Sequence, residues 1–143
     1  MTTKAITFDY WNTLVRATDE QANWRMTSWV DRLAAAGIAA VAATKGRSLR
    51  SFSVRKEAKD HGVTGRIAGA FEPGDSVVVT EDTVTRGTSI MEAVDVVTAA
   101  GGSVAAIVVI VDRGGTCGAM AEARGIPFHP LLTAPDLGFG FGT

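Results

Sequence analysis

Apolar residues along the chain fall into short runs that predict the strands of a buried sheet. Lys4 to Asp9 is an apolar run that ends in an acid, while Ser76 to Asp82 and Val104 to Val111 are nearly continuous in β-branched side chains. Runs of this length and composition are typical of strands buried on both faces of a parallel sheet. Weaker patterns predict further strands at Leu49 to Val54, at Gly65 to Phe71, and just after Ile126 to Pro130.

Between the first two strands, apolar residues return at helical spacing. Thr18 and Gln21 have the form of a capping box, and behind them apolar side chains repeat every three or four residues, at Met26, Trp29, Val30 and Leu33. Gly37 is one place where this helix can end, and the alanine-rich stretch through Thr44 is equally able to continue it.

The second half of the chain repeats the alternation of strand and helix. Ser89 and Glu92 form another capping box, which predicts a helix through Val97 closed by Gly101 and Gly102, and a short helix follows from residue 116 to residue 124. Strands and helices that alternate at this spacing predict an α/β fold, a Rossmann-like parallel sheet sandwiched between helices. We expect one domain over residues 1–143, with residues 138–142 as a frayed tail.

Composition narrows the classes of function. A length of 143 residues is enough for one buried core, and a formal net charge of −1 gives no basic field for nucleic acid. The apolar run from Val104 to Val111 is too short to cross a membrane, and no signal peptide precedes it, so we expect a cytoplasmic protein. The single cysteine, Cys117, excludes an internal disulfide and an all-cysteine metal site.

The most informative stretch of the sequence is Val77 to Ser89. A buried strand leads into Glu81 and Asp82, then into the small residues of a loop, and then into a helix. Amides at a helix start, the hydroxyls of three loop residues and a glycine are the groups that surround a phosphate. Two carboxylates repel a bare phosphate, so they favour a sugar phosphate that offers hydroxyls or brings Mg²⁺. The alternative is an ordinary strand, turn and helix with solvated acids; the loop residues in question are Thr85, Arg86, Gly87, Thr88 and Ser89.

This stretch resembles the phosphoribosyl-pyrophosphate motif of type I phosphoribosyltransferases, a hydrophobic run followed by two acids and then Thr-x-Gly-x-Ser. The resemblance implies that Glu81 and Asp82 contact ribose hydroxyls and that Thr85 to Ser89 hold the 5′-phosphate. Arg86 stands where the family often has Thr or Ala, and a cation is compatible with phosphate.

A second stretch, Val54 to Gly62, is similar to the catalytic loop of orotate phosphoribosyltransferases. The resemblance implies that Arg55, Lys56, Lys59 and His61 contact pyrophosphate, usually across a homodimer interface. Such a cluster of cations suits the negative charge that builds on departing pyrophosphate. A solvated charged loop is the alternative.

A third match, Val111 to Gly114, makes Arg113 the residue that the resemblance assigns to the orotate ring, and a guanidinium suits a planar carboxylate. The similarity spans about residues 39–138. It implies transfer of a phosphoribosyl group from phosphoribosyl pyrophosphate to orotate, with Mg²⁺ as cofactor and no direct protein ligand assigned to the metal.

The first third of the chain departs from that family, because it lacks the hood and the Gly-rich pyrophosphate loop. Residues 4–37 instead resemble the first βα unit of haloacid-dehalogenase-type hydrolases, in which Asp9 would be the nucleophile. Trp11 stands where the phosphatases have their second acid, so we interpret Asp9 as a relic and the chain as chimeric. Two alternatives to an active transferase remain, a phosphohydrolase that uses Asp9 and a folded chimera that only binds phosphate.

Overall fold

The fold is built on one six-stranded sheet. The computed structural model describes residues 5–9, 37–56 and 63–142. Within them the strand order is β3-β2-β1-β4-β5-β6, and every pairing is parallel except that of β3, an edge strand antiparallel to β2. The predicted parallel sheet and its core strands are therefore confirmed. The strands are β1 (Ala5–Asp9), β2 (Arg50–Val54), β3 (Ile67–Gly69), β4 (Ser76–Val84), β5 (Ser103–Asp112) and β6 (Phe128–Thr133).

Two helices cover one face of this sheet, namely α1 (Thr88–Ala99) and α2 (Cys117–Glu122). The buried side chains of α1 recur at helical spacing, which puts one apolar stripe against β4 and β5. Residues 37–44 are also helical, whereas the helix predicted before Gly37 lies outside the described residues. Short 3₁₀ turns lie at Val63–Arg66 and Pro135–Leu137.

The order of the strands reverses between β1 and β4. From β1 the chain continues to β2 on one side, whereas from β4 it continues to β5 on the other. In open α/β sheets the crevice at such a reversal, at the carboxyl ends of the strands, is where ligands bind.

Three local predictions are wrong. The strand predicted to end in two acids continues to Val84, because β4 keeps pairing with β5 through that residue. The helix predicted to begin with a Ser89 capping box begins one residue earlier, after Gly87, with no side-chain cap. β5 is not buried throughout, since Ile107 and Val109 are fully buried but Ile110 is 46% exposed. Alternating burial of this kind marks a strand with only one face in the core.

An ion cluster lies at the amino-terminal end of the sheet, far along the strands from the predicted site. The buried Asp75 carboxylate accepts hydrogen bonds from the Arg50 guanidinium and from the backbone N–H of Glu72, the latter at 2.9 Å. Arg50 also pairs with the Glu72 carboxylate at 2.5 Å. The cluster ties the start of β2 to the turn before β4.

Candidate functional site

The candidate site lies at the carboxyl ends of β1 and β4, where the strand order reverses. The Cα atoms of Asp9, the last residue of β1, and Glu81 are register partners. Because β4 extends three residues beyond Glu81, the loop that follows it projects past the end of β1. We name this loop together with the first two residues of α1, Thr85–Ser89, the anion loop.

The anion loop presents free backbone N–H groups at the start of α1. Gly87 is the N-cap residue with φ 78° and ψ −4°, a left-handed conformation that glycine adopts without steric cost, and no side chain caps the helix there. The first N–H groups of a helix have no intrahelical partners, and the helix dipole makes this end positive. Thr85, Arg86 and Thr88 are exposed beside those amides. A helix start of this kind is a suitable place for an anion to bind.

Gly87 is required by its surroundings as well as by its backbone angle. A β-carbon at this position would lie 3.1 Å from the Cα, Cβ and Sγ atoms of Cys117, the first residue of α2. The start of α2 therefore packs directly on the start of α1. Cys117 is fully buried, and burial, helped by the charges of Asp112 and Glu81, raises the pKa of its thiol to about 12.

A second loop, Arg113–Thr116, packs against the anion loop and is hydrogen-bonded to the residues around its start. The Arg113 N–H donates to the Val84 carbonyl at 2.7 Å, and the Thr116 hydroxyl donates to the Thr85 carbonyl at 3.1 Å. A β-carbon on Gly114 would lie 1.5 Å from the Thr85 carbonyl oxygen, so only glycine fits. We name Arg113–Thr116 the support loop.

The buried carboxylate of Asp112 shapes the support loop. It accepts the backbone N–H groups of Gly114 at 3.1 Å and Gly115 at 2.9 Å. An aspartate that bonds amides two and three residues ahead fixes a turn in place. The sequence analysis did not single out Asp112, Gly114 or Thr116. An acid followed by Arg-Gly-Gly after a strand was the available signal.

The carboxy-terminal tail packs on this support loop, so the prediction of a frayed tail is wrong. The Gly142 N–H donates to the Arg113 carbonyl at 2.7 Å, and the ring of Phe141 lies against Gly115. Further back, the Phe139 N–H donates to the Ala134 carbonyl at 3.0 Å. The tail thus fixes the backbone next to the side chain expected to meet the orotate ring.

The two acids of the motif are separated by the sheet. Successive side chains of a strand point to opposite faces, and Glu81 is buried at 4% exposure on the face that carries α1 and α2. Asp82 is only partly buried and accepts the Thr83 N–H at 2.7 Å. Asp82 is therefore the more accessible of the two carboxylates.

The predicted cationic residues follow β2 at the same edge of the sheet. Arg55 is partly buried and Lys56 is exposed, whereas Lys59 and His61 lie outside the described residues. Arg113, also exposed, follows β5 in the support loop. The carboxyl ends of β2, β4 and β5 thus bring four predicted cations, counting Arg86, to one side of the molecule.

Arg66 is a further residue that the sequence analysis did not identify. It lies at the end of the turn Val63–Arg66 and bonds to the backbone of Arg55 and to the carboxylate of Glu92. Its position five residues after His61 gave no local pattern to identify it. The contacts are long-range and become visible only in the fold.

Neither a metal cage nor a membrane helix is found in the described parts of the chain. Residues 5–9, 37–56 and 63–142 contain no group of three or more His, Cys, Asp or Glu side chains placed to hold a metal ion. No helix in the same ranges is long and apolar enough to span a bilayer.

No protein-family profile matches the chain, but individual proteins do. It is 40% identical over 93 residues to orotate phosphoribosyltransferase of Corynebacterium glutamicum, which covers 65% of this chain and 50% of that protein. Orotate phosphoribosyltransferase of Mycobacterium tuberculosis, solved with 5-phospho-α-D-ribosyl 1-diphosphate, is 36% identical with a TM-score of 0.57, covering 64% of this chain and 52% of that one. The enzyme from Aeropyrum pernix, at 23% identity and a TM-score of 0.58, shares the fold over 96% of this chain and 67% of its own.

These similarities give no support to a dehalogenase-like origin of residues 4–37 or to a chimera, and most of that segment lies outside the described residues. The chain spans about half the length of the curated relatives that it matches. The fold is that of the type I phosphoribosyltransferase structures. Over about 65% of its length, the chain is homologous to orotate phosphoribosyltransferases.

Proposed function

We propose that this chain binds phosphoribosyl pyrophosphate and transfers its phosphoribosyl group to orotate, with release of pyrophosphate. The observation that carries the proposal is the anion loop, in which an uncapped helix start, a left-handed Gly87 and exposed hydroxyls meet at the reversal of the sheet. A relative at 36% identity has been solved with the same donor. The site therefore suits a sugar phosphate better than a bare anion.

Each part of the site has a role that follows from its charge. The anion loop binds the 5′-phosphate through amides and hydroxyls, with Arg86 exposed beside it. Asp82, as the accessible acid, accepts hydrogen bonds from the ribose hydroxyls, and buried Glu81 stands behind it. Arg55 and Lys56 lie on the side where pyrophosphate leaves, and Lys59 and His61 complete that set by resemblance.

In the transfer itself, the bond between the anomeric carbon and pyrophosphate breaks as the bond to orotate N1 forms, and the N1 proton passes to the departing pyrophosphate or to water. Negative charge grows on the departing diphosphate, and fixed cations stabilise it more than they stabilise the bound donor. Arg113 would hold the orotate carboxylate through its guanidinium, and the support loop and tail fix the backbone from which this side chain extends.

Magnesium is part of the proposal only as a companion of the donor. Glu81 and Asp82 lie on opposite faces of β4, and the described residues form no cluster of three ligands, so these residues do not fit a protein-built Mg²⁺ cage. Mg²⁺ is commonly held by substrate phosphates with one or two carboxylates and waters. Asp82 is the described carboxylate that fits such a shared site.

We also propose that the protein works as a homodimer. Large apolar side chains near the carboxy terminus are exposed, and a second copy can cover them. Light scattering at micromolar concentration tests this, and a monomer would contradict it. The exposed side chains are Leu131, Leu132, Leu137, Phe139 and Phe141.

Calorimetric titration with phosphoribosyl pyrophosphate and Mg²⁺, followed by an assay of pyrophosphate release with orotate, tests the function. The proposal requires donor binding and orotate-dependent release. Binding without release would instead favour the non-catalytic alternative. If the protein hydrolyses a phosphate monoester and Asp9→Asn loses this activity, the hydrolase alternative is favoured. Among the described residues, no contact supports that alternative.

A further inference from the structure

Arg66 joins the two ends of the segment that contains the predicted pyrophosphate residues. The Arg55 N–H donates to the Arg66 carbonyl at 2.7 Å, and the Arg66 Nε–H donates back to the Arg55 carbonyl at 2.7 Å. Two reciprocal bonds of this length define the position of the Arg55 backbone. The segment between Arg55 and Arg66 therefore begins and ends at two residues that are bonded to each other.

The same guanidinium reaches the helix that carries the anion loop. One terminal nitrogen of Arg66 lies 2.7 Å from the Glu92 carboxylate, and Glu92 is four residues into α1. The Arg66 side chain is 20% exposed and that of Glu92 is 53% exposed, so the pair lies at the edge of the core. Arg66 is therefore a direct link between the cationic segment and α1.

The link uses the shape of arginine. Nε and a terminal nitrogen of one planar guanidinium bind two acceptors on different elements, a geometry that the single ammonium of lysine does not reproduce. Surface ion pairs alone contribute little to stability. Because Arg66 also donates a hydrogen bond to the Arg55 carbonyl, the Arg66–Glu92 pair connects two elements and is more than a surface ion pair.

We propose that Arg66 is a positioning residue that fixes Arg55 and Lys56 relative to the anion loop. This inference rests on the proposed function. Donor phosphate bound at the start of α1 and pyrophosphate bound by Arg55 and Lys56 belong to one molecule, so the distance between the two sites determines whether both can be engaged. A displacement of about 1 Å in such a geometry costs about 10²-fold in rate.

The chain offers a matched control on the same helix. Arg124 pairs with Asp95 of α1 at 2.5 Å, and its side chain is 38% exposed. It also lies within 3.4 Å of the Met91 carbonyl, so it too combines an ion pair with a backbone acceptor. Arg124 follows α2 and its bonds go to Met91 and Asp95 of α1, so it tests the loss of an arginine link on α1 away from the cationic segment.

The experiment compares Arg66→Lys and Glu92→Gln with Arg124→Lys. We expect Arg66→Lys to weaken pyrophosphate–Mg²⁺ binding at least fivefold and to lower kcat by a similar factor, while KM for orotate stays within twofold. Glu92→Gln, which keeps a neutral acceptor, should lie between Arg66→Lys and the parent. Arg124→Lys should match the parent in all three quantities.

Hydrogen exchange at the Arg55 amide gives a readout that needs no turnover. Arg66→Lys should speed this exchange at an unchanged urea midpoint, and Arg124→Lys should not. If the parent binds neither donor nor pyrophosphate, both the proposed function and this inference are refuted. If the parent binds both and turns over but Arg66→Lys has the same pyrophosphate affinity and kcat, only the positioning role is refuted. Equal losses of affinity and kcat in Arg66→Lys and Arg124→Lys would also refute that role.

Discussion

Replacing Gly87 by Ala is the smallest change that tests the anion loop. Its φ of 78° costs an L-residue about 1–2 kcal/mol. The new methyl would also lie 3.1 Å from three atoms of Cys117, closer than an ordinary van der Waals contact. If the backbone relaxes to a negative φ to escape both, the peptide between Arg86 and Gly87 rotates and its amide leaves the site. We therefore expect donor affinity to fall at least tenfold, which is about 1.4 kcal/mol.

Gly101→Ala is the control for strain without loss of the site. Gly101 also has a positive φ, 87°, and a β-carbon there would lie 3.3 Å from the Pro73 Cβ, but it follows the other end of α1. Both variants should lose about 1–3 kcal/mol of unfolding free energy, measured by urea denaturation. Only Gly87→Ala should weaken calorimetric binding of phosphoribosyl pyrophosphate with Mg²⁺.

Two results would refute the reasoning about Gly87. Parent-like donor affinity in a folded Gly87→Ala would mean that its backbone does not form the phosphate site. Equal losses of affinity in both variants would mean that binding follows overall stability and not the local amides.

Three other predictions concern the surroundings of the site. Gly114→Ala should lower both the thermal midpoint and donor affinity, because its methyl cannot coexist with the Thr85 carbonyl 1.5 Å away; an unchanged calorimetric scan would contradict this. Cys117 should resist iodoacetamide at pH 8 until urea unfolds the chain, since a pKa of about 12 leaves about one thiol in ten thousand ionised; its raised folded pKa also means that stability falls as pH rises above 9. Asp75→Ala should lower the thermal midpoint by removing the buried partner of Arg50 while donor affinity, measured by calorimetry, stays at the parent value.

Sequence pattern predicted the parts of the fold that depend on local composition. The runs around Val77 and Ile107 are short and rich in β-branched side chains, which favours buried strands. Their strands were therefore predictable. The anion loop was predictable because Gly87 lies between a strand and an amphipathic helix.

The rest depends on contacts between distant residues. Glu81 and Asp82 suggested the end of a strand, but β4 pairs with β5 as far as Val84. This pairing, and not the local composition, sets the length of β4. The fit of Gly114 under Thr85 and the docking of Gly142 on Arg113 join loops that no local spacing relates. Ser89 fits a capping box in sequence, yet the positive φ at Gly87 starts the helix before it.

The central position of β1 has a consequence for how the chain folds. Ala5 pairs with both Arg50 and Val77, so β1 is the strand that joins the two halves of the sheet. Closing the long loops that bring β1 to β2 and β4 costs entropy before any pairing compensates for it, which favours β4, β5 and α1 assembling first and receiving β1 last. Until then β2 and β4 expose two open edges of the kind that recruits foreign strands, so loss of β1 from the sheet invites aggregation. The same geometry makes the protein a candidate for complementation, in which a separate peptide carrying residues 1–9 would complete the sheet.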